Sequence, residues 1–309
     1  MNFTAQDVKA LREKTGVGMM KCKNALVKAD GDMDKAIDIL REEGIAVSEK
    51  KAGRTAADGV VLAYTDEAKK VNVLVEVNSE TDFVAKNEKF QAFVQSVAKT
   101  IAEQNPADVD ALMGINLDGS DRTVQENLQE LVLAIGENMK IRRFVRSEGV
   151  AASYIHMGGA VGVIVNFETS DDIAATDEFK AMGKDVAMQV AAMNPLYLNP
   201  ESVPAEVLDH ERGIIKIQLQ EDPKMANKPE KVLSGIITGK LNKYYKENCL
   251  LDQEFVKAEK HENVQQYVNS VAKKLGGDIK VTGFTRYAKG EGIEKKEENL
   301  AAEIASMVK

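Results

Sequence analysis

The sequence predicts an α+β protein, with an N-terminal three-helix domain followed by a duplicated α+β core that carries an inserted antiparallel helical hairpin. Three observations carry that prediction. Apolar residues recur at helical spacing as far as Gly44. An order of strand, strand, helix, helix, strand is then written twice. Two further helical stripes, bracketed by prolines, interrupt the second writing. With 309 residues, 44% of them apolar, the chain can bury more than one core.

Thr4 is a plausible N-cap for a first helix with Val8, Leu11 and Arg12, ending near Thr15-Gly16-Val17-Gly18. A second helix carries Met20, Cys22, Ala25 and Leu26. Asp30-Gly31-Asp32 makes a turn whose Asp32 can cap a third helix, with Ala36, Ile37 and Leu40 inward and Gly44 as its close. The polar, basic run Glu49-Lys50-Lys51-Ala52-Gly53-Arg54 reads as a linker. Gly59 to Tyr64 and Val71 to Val77 are strand-like, and Thr65 to Lys70 between them is turn-rich, so the pair predicts a hairpin. Phe90, Phe93, Val94, Val97, Ala98 and Ile101 mark a helix, as do Leu128, Leu131, Val132 and Ile135. Ile141 to Arg146 returns as a strand.

The second writing has strands near Ala151 to His156 and Gly162 to Phe167, then a helix on Phe179, Met182, Val186 and Val190. Phe90 matches Phe179 and Ala98 matches Ala187 at one offset (179 − 90 = 187 − 98 = 89), and Phe144-Val145-Arg146 resembles Phe284-Thr285-Arg286. Duplication is one reading, and chance likeness between two amphipathic helices is the other. Thr81-Asp82-Phe83 finds no counterpart in the second copy. Within that copy, Val207, Leu208, Ile214, Ile215 and Ile217 form one stripe and Leu233, Ile236, Ile237, Leu241 and Tyr244 another. Asp222-Pro223 and Lys228-Pro229 bracket the turn between them, because proline disfavours helix in the residue before it. Such a hairpin is either an arm for partner contact or dimerisation, giving a homodimer or two-by-two complex, or a hairpin folded back on its own core. The domains are thus residues 1–55, 56–148, 149–290 with the hairpin at about 203–246, and a helical module at 291–309 on Ile293, Leu300, Ile304 and Val308.

A net charge of −8 and a pI near 5.2 argue against nucleic acid as partner, since phosphate contacts need a concentrated basic surface. The lack of tryptophan and the 5% aromatic content make base-stacking platforms a poor fit too. Cys22 and Cys249 stand far apart, which fits a reducing compartment and two buried thiols. No apolar run reaches membrane-span length and no signal-peptide core opens the chain, so a cytoplasmic location without a membrane partner is expected.

Motifs for chemistry fail in detail. Gly235 to Leu241 resembles a phosphate loop but has three residues between its glycines, and Leu241 stands where Ser or Thr would hold magnesium. Asp30, Asp32 and Asp34 begin like a calcium loop, yet Lys35 and Arg41 occupy the glycine and glutamate positions. His261-Glu262 is followed by Gln265 where a second zinc-binding His is needed. No metal, cofactor or enzymatic activity is therefore expected, which favours a binding protein.

Leu11-Arg12-Glu13-Lys14-Thr15-Gly16-Val17-Gly18-Met19-Met20-Lys21-Cys22-Lys23-Asn24-Ala25-Leu26 closely resembles the amino-terminal signature of the bacterial elongation factor Ts family. Glu76-Val77-Asn78-Ser79-Glu80-Thr81-Asp82-Phe83-Val84-Ala85-Lys86 resembles its other signature, and Gly136 to Arg143 a further segment, in the right order. The resemblance implies that the three-helix domain is similar to ubiquitin-associated (UBA) domains. It also implies that the partner is elongation factor Tu, GDP-bound and nucleotide-free, and that the protein speeds GDP release so that GTP can bind. On that footing Thr81, Asp82, Phe83 and Val84 form the contact segment. Phe83 enters the partner between histidine side chains, and Asp82 disturbs its magnesium site. Arg12, Met19, Met20, Ile135, Gly136 and His156 are further contact positions.

The residues by themselves leave alternatives open. A phenylalanine at a strand-to-helix turn wastes apolar area unless it enters a partner's pocket, or it packs inward while Asp82 caps the helix. Met19 and Met20, being adjacent, cannot both face one core. Arg12 also fits a solvated helix charge, Ile135 a core residue and His156 a satisfied strand residue. Two rivals complete the set: a ubiquitin-type adaptor built on the N-terminal helices, and an enzyme using Asp82 with a distant base.

Overall fold

Helix α1 (Ala5–Thr15) begins where Thr4 predicts: the Thr4 hydroxyl accepts from Asp7 N–H while the Asp7 carboxylate accepts from Thr4, and Gly16 ends the helix at φ +72°. The computed structural model describes residues 2–222, 225, 228–258 and 261–294. The expected C-terminal helix through Leu300, Ile304 and Val308 lies outside them. Helix α2 spans Met19–Lys28. Asp32 caps α3 (Met33–Lys51) by accepting from the N–H groups of Asp34 and Lys35 at 3.0 and 3.1 Å, so the calcium-like run is a helix cap. Val8, Leu11, Cys22, Ala25, Leu26, Ala36 and Leu40 bury one another.

Strands β1 (Asp58–Asp66) and β2 (Val71–Ser79) pair antiparallel, Val60 opposite Val77 and Leu62 opposite Val75, as the hairpin reading expected. The short α4 (Asp82–Ala85), α5 (Glu88–Gln104), α6 (Val109–Met113), α7 (Val124–Ile135) and β3 (Met139–Glu148) follow, and the sheet order is β1-β2-β3. β2 is buried along its whole length. Val73, Val75 and Val77 meet Phe90, Val94, Val97 and Ile101 of α5 and Val132 of α7 in one core. A fully buried side chain of this class contributes roughly 1.5–3 kcal/mol.

Helix α3 does not close at Gly44. It continues to Lys51 and absorbs the first half of the segment expected to be a linker, Glu49 to Lys51. Gly44 is buried, and a Cβ there would sit 3.4 Å from the Gln129 carbonyl oxygen and 3.8 Å from Leu133 Cδ2. A small residue is wanted where α3 passes α7, since a Cβ there just reaches ordinary contact, so this mid-helix glycine that reads in sequence like a C-cap marks a helix crossing.

The second sheet has β4 (Val150–His156), β5 (Val161–Glu168) and β6 (Lys280–Ala288) in the order β4-β5-β6. Between β5 and β6 come α8 (Asp171–Ala174), α9 (Asp177–Met193), α10 (Ala205–Glu221), α11 (Glu230–Asn248) and α12 (Val264–Leu275). Gly183 of α9 lies against Ala152, a Cβ at that glycine falling 2.7 Å from Ala152 Cβ, and the Phe167 and Phe179 rings meet edge to face at 5.3 Å. Two compact units result. One holds residues up to Ser147, Ile155–Gly162 and the described residues after Arg286; the other holds Glu148–Tyr154 and Val163–Arg286.

Elements recur between the two at fixed offsets. α4, α5 and the left-handed Asn105 that ends α5 match α8, α9 and the left-handed Asn194 (171 − 82 = 177 − 88 = 194 − 105 = 89). The capping boxes of α7 and α12 and the left-handed Gly136 and Gly276 that follow them match at 140 (263 − 123 = 276 − 136 = 140). The second offset exceeds the first by 51 (140 − 89), and α10 and α11 fall within that extra length. These two helices do form the expected hairpin: Ile215, Leu219 and Leu241 bury together, and Lys240 Nζ donates to Gln218 Oε1 at 3.1 Å. Ile214 and Ile217, which share one stripe with Ile215 in the sequence, are exposed. The phosphate-loop-like Gly235 to Leu241 is ordinary helix within α11.

Candidate functional site

β2 ends at Ser79, and the chain must turn within two residues to start α4, whose single turn is too short to hold itself. Side chains fix it instead. The Thr81 hydroxyl is the N-cap, accepting weakly from Val84 N–H at 3.5 Å, and the Ser79 hydroxyl donates to the Thr81 carbonyl at 2.9 Å. Val84 and Ala85 turn into the core. Phe83, on the opposite side of the same turn, is 80% exposed.

That exposure overturns the alternative in which Phe83 packs inward and Asp82 caps the helix; the cap is Thr81. The matching helix α8 sharpens the point. Ser170, Asp171, Asp172, Ile173 and Ala174 stand at the offset of 89 from Thr81, Asp82, Phe83, Val84 and Ala85, with Ile173 buried as Val84 is. At that offset Asp172 takes the place of Phe83, so α8 makes a like turn after β5 without an aromatic ring.

Asp82 lies beside Lys86, whose ammonium donates to the Asp82 carboxylate at 2.7 Å. This bond, first, and the charge itself hold the carboxyl below its ordinary range, so Asp82 is anionic at neutral pH. The pair is solvent-exposed and adds little stability. It leaves an aromatic ring and a carboxylate side by side on one exposed turn.

Ile135 and Gly136 lie at the end of α7, just before the residue that reaches this turn. Ile135 is half-buried against the core, and Gly136, at φ +89°, redirects the chain into β3. The next residue, Glu137, accepts from Thr81 N–H at 3.0 Å and from the Thr81 hydroxyl at 2.7 Å. In the reverse direction Glu80 accepts from Asn138 N–H at 2.5 Å. The end of α3 joins in: Lys51 Nζ donates to the Gly136 carbonyl, Asn138 Nδ2 donates to the Arg54 carbonyl at 2.7 Å, and Arg54 lies 3.6 Å from Glu80. Sequence reading assigned Glu80, Glu137, Asn138 and Arg54 no role, because nothing local marks a contact that spans more than fifty residues.

Arg12, Met19 and Met20 are exposed on α1 and α2, Met20 at 65%, and neither methionine is among the buried residues. Gly16, in the turn before them, lies against the side chain of Lys89 at the start of α5, three residues beyond Lys86. His156 is exposed at the tip of β4, in a turn whose Gly159 carbonyl accepts from Val61 N–H of β1 at 2.8 Å. The next residue, Met157, is 79% exposed with a left-handed backbone. Among the described residues, no group of three or more His, Cys, Asp or Glu is placed to hold a metal ion, and no helix is long and apolar enough to cross a membrane. Cys22 and Cys249 are buried thiols, Cys249 pushed up to about 11 chiefly by burial.

An exposed ring thus stands beside a carboxylate, on a turn tied by side chains of two other segments, Glu137 and Arg54. The family model described as Elongation factor TS matches residues 80–291, a span that opens at this turn. Elongation factor Ts of Clostridium kluyveri is 46% identical over 310 residues, covering 99% of each chain. That of Clostridium perfringens is 45% identical over 308 residues at 99% of each, and that of Nitratiruptor sp. is 47% identical over 314 residues, covering both in full. The chain belongs to the elongation factor Ts family.

Proposed function

We propose that the chain is the guanine nucleotide exchange factor of translation elongation, binding elongation factor Tu with GDP and leaving it nucleotide-free for GTP to enter. The observation that carries this reading is Phe83, 80% exposed on a side-chain-clasped turn whose counterpart bears Asp172. Phe83 is the wedge that enters the partner's GTPase domain. The anionic Asp82 beside it displaces the partner's magnesium ion and disturbs the phosphate site. Val84, buried, and Thr81, clasped, hold the two in place. Arg12, Met19, Met20, Ile135, Gly136 and His156 extend the contact surface.

The protein acts by binding alone, without catalysing chemistry, and needs no cofactor of its own. Linkage sets its thermodynamics: a chain that weakens GDP binding is itself weakened by GDP in the same ratio. We further read residues 1–55 as a UBA-like domain, residues 56–148 and 149–290 as a duplicated core, residues 291–309 as a C-terminal helical module, and the location as cytoplasmic. The hairpin α10–α11, with Ile217 and Val232 exposed, is the place for dimerisation or a two-by-two complex. Stopped-flow release of fluorescent GDP from purified elongation factor Tu tests the proposal. Release accelerated by catalytic amounts of the chain is expected, and a rate unchanged by the chain sinks it.

A further inference from the structure

We infer that Glu137 and Glu80 are positioning residues for Phe83, a reciprocal pair of carboxylates that sets the exposed turn in its presenting posture. The inference rests on the proposed exchange activity and deepens it. Each carboxylate reaches from its own loop to the other: Glu137 accepts from the Thr81 N–H and hydroxyl, Glu80 from the Asn138 N–H. Hydrogen bonds to an ionised acceptor are shorter and stronger than neutral ones, and two in one carboxylate fix direction as well as distance. Thr81 is the N-cap of α4, so fixing its N–H and its hydroxyl fixes where the single turn begins and where its second residue, Phe83, points.

The second unit supplies an internal comparison. At the offset of 89 Glu80 becomes Thr169, and at 140 Glu137 becomes Gly277 and Asn138 becomes Asp278. There the Thr169 hydroxyl donates to the Asp278 carbonyl at 2.8 Å, a neutral bond between the corresponding loops. The two carboxylates occur in the copy that carries the aromatic, and both are missing from the copy with Asp172. By fixing the backbone where α4 begins, the two carboxylates set the direction in which the Phe83 side chain leaves the turn.

The test is a double-mutant cycle in the full chain, with Glu137→Ala and Phe83→Ala singly and together, read by GDP release from elongation factor Tu. Glu137→Ala is expected to slow release about tenfold, equivalent to about 1.4 kcal/mol. With Phe83 already alanine, the same change is expected to cost less than about twofold, because its route of action is gone. Equal cost in both backgrounds, or no cost in the wild type, overturns the inference. Glu137→Gln keeps the shape and one acceptor; a smaller loss of the same pattern is expected, and it serves should the alanine variant not fold. Hydrogen exchange gives a readout independent of activity: Glu137→Ala is expected to unprotect Thr81 N–H while Val73 and Val75 N–H stay protected. Unchanged protection at Thr81 overturns the clasp even with exchange intact. A Phe83→Ala chain as active as the wild type sinks the proposed function, and the amide readout still judges the clasp.

Discussion

Replacing Phe83 by alanine separates binding from folding. A phenylalanine offers about 150–250 Å² for burial. With 80% of its surface exposed in the free chain, about 120–200 Å² remains for a partner to cover. At about 25 cal/mol per Å², that area is worth about 3–5 kcal/mol. The alanine methyl retains part, so about 2–3 kcal/mol of partner affinity should vanish, a weakening of about 30- to 150-fold. The chain itself should lose almost nothing, within about 0.5 kcal/mol, since an exposed residue makes few internal contacts. Calorimetric titration into nucleotide-free elongation factor Tu, paired with urea unfolding of the free chain, measures both. Affinity within twofold of wild type refutes the wedge. A loss of several kcal/mol in unfolding free energy refutes the placement of the ring in solvent.

Three further outcomes follow from the fold. Glu76 is fully buried beneath Arg142, Arg143 and Gly290 N–H; burial alone pushes its carboxyl up, but the bonds from Gly290, Asn78 and the two arginines together hold it below 4.5. Its contribution is therefore complete above pH 4.5 and drains away as the pH falls through the lowered value. Glu76→Gln should cost about 3 kcal/mol at pH 7 and flatten the acid limb of urea-unfolding stability against pH. Gly44→Ala places its methyl at ordinary contact from Gln129 and should be neutral or gain up to about 1 kcal/mol in thermal unfolding. Gly44→Leu should cost about 1–3 kcal/mol by prising α3 from α7. Excising the outer half of the α10–α11 hairpin should leave the rest folded, because Ile215, Leu219 and Leu241 form a cluster of their own; calorimetry showing global unfolding contradicts that.

What was legible in the sequence was local. β1 and β2 announced themselves by β-branched runs around a polar turn, and Thr4 and Asp32 by cap chemistry that acts within three residues. Gly44 misled because glycine marks both a helix end and a close approach, and only the facing Gln129 distinguishes them. The run from Glu49 to Lys51 looked like a linker because its charges are solvated, although the backbone stays helical. Phe83 stood out by residue type, but whether it faced core or solvent depended on a one-turn helix too short for periodicity to orient. The clasp of Glu80 and Glu137 was invisible, since its partners meet only after α5 and α7 have folded onto the sheet. The common offset of 89 from α4 to α8 and from α5 to α9 is carried by helix caps and not by apolar residues alone, so matching apolar residues of α5 and α9 does not by itself reveal it for α4 and α8.

The most direct test of the exchange mechanism is the two-way linkage between chain and nucleotide. The affinity of elongation factor Tu for GDP is measured with and without saturating chain, and its affinity for the chain with and without saturating GDP. Two weakening factors of equal size, each well above tenfold, are expected. A chain that binds equally tightly whether or not GDP is present contradicts the mechanism.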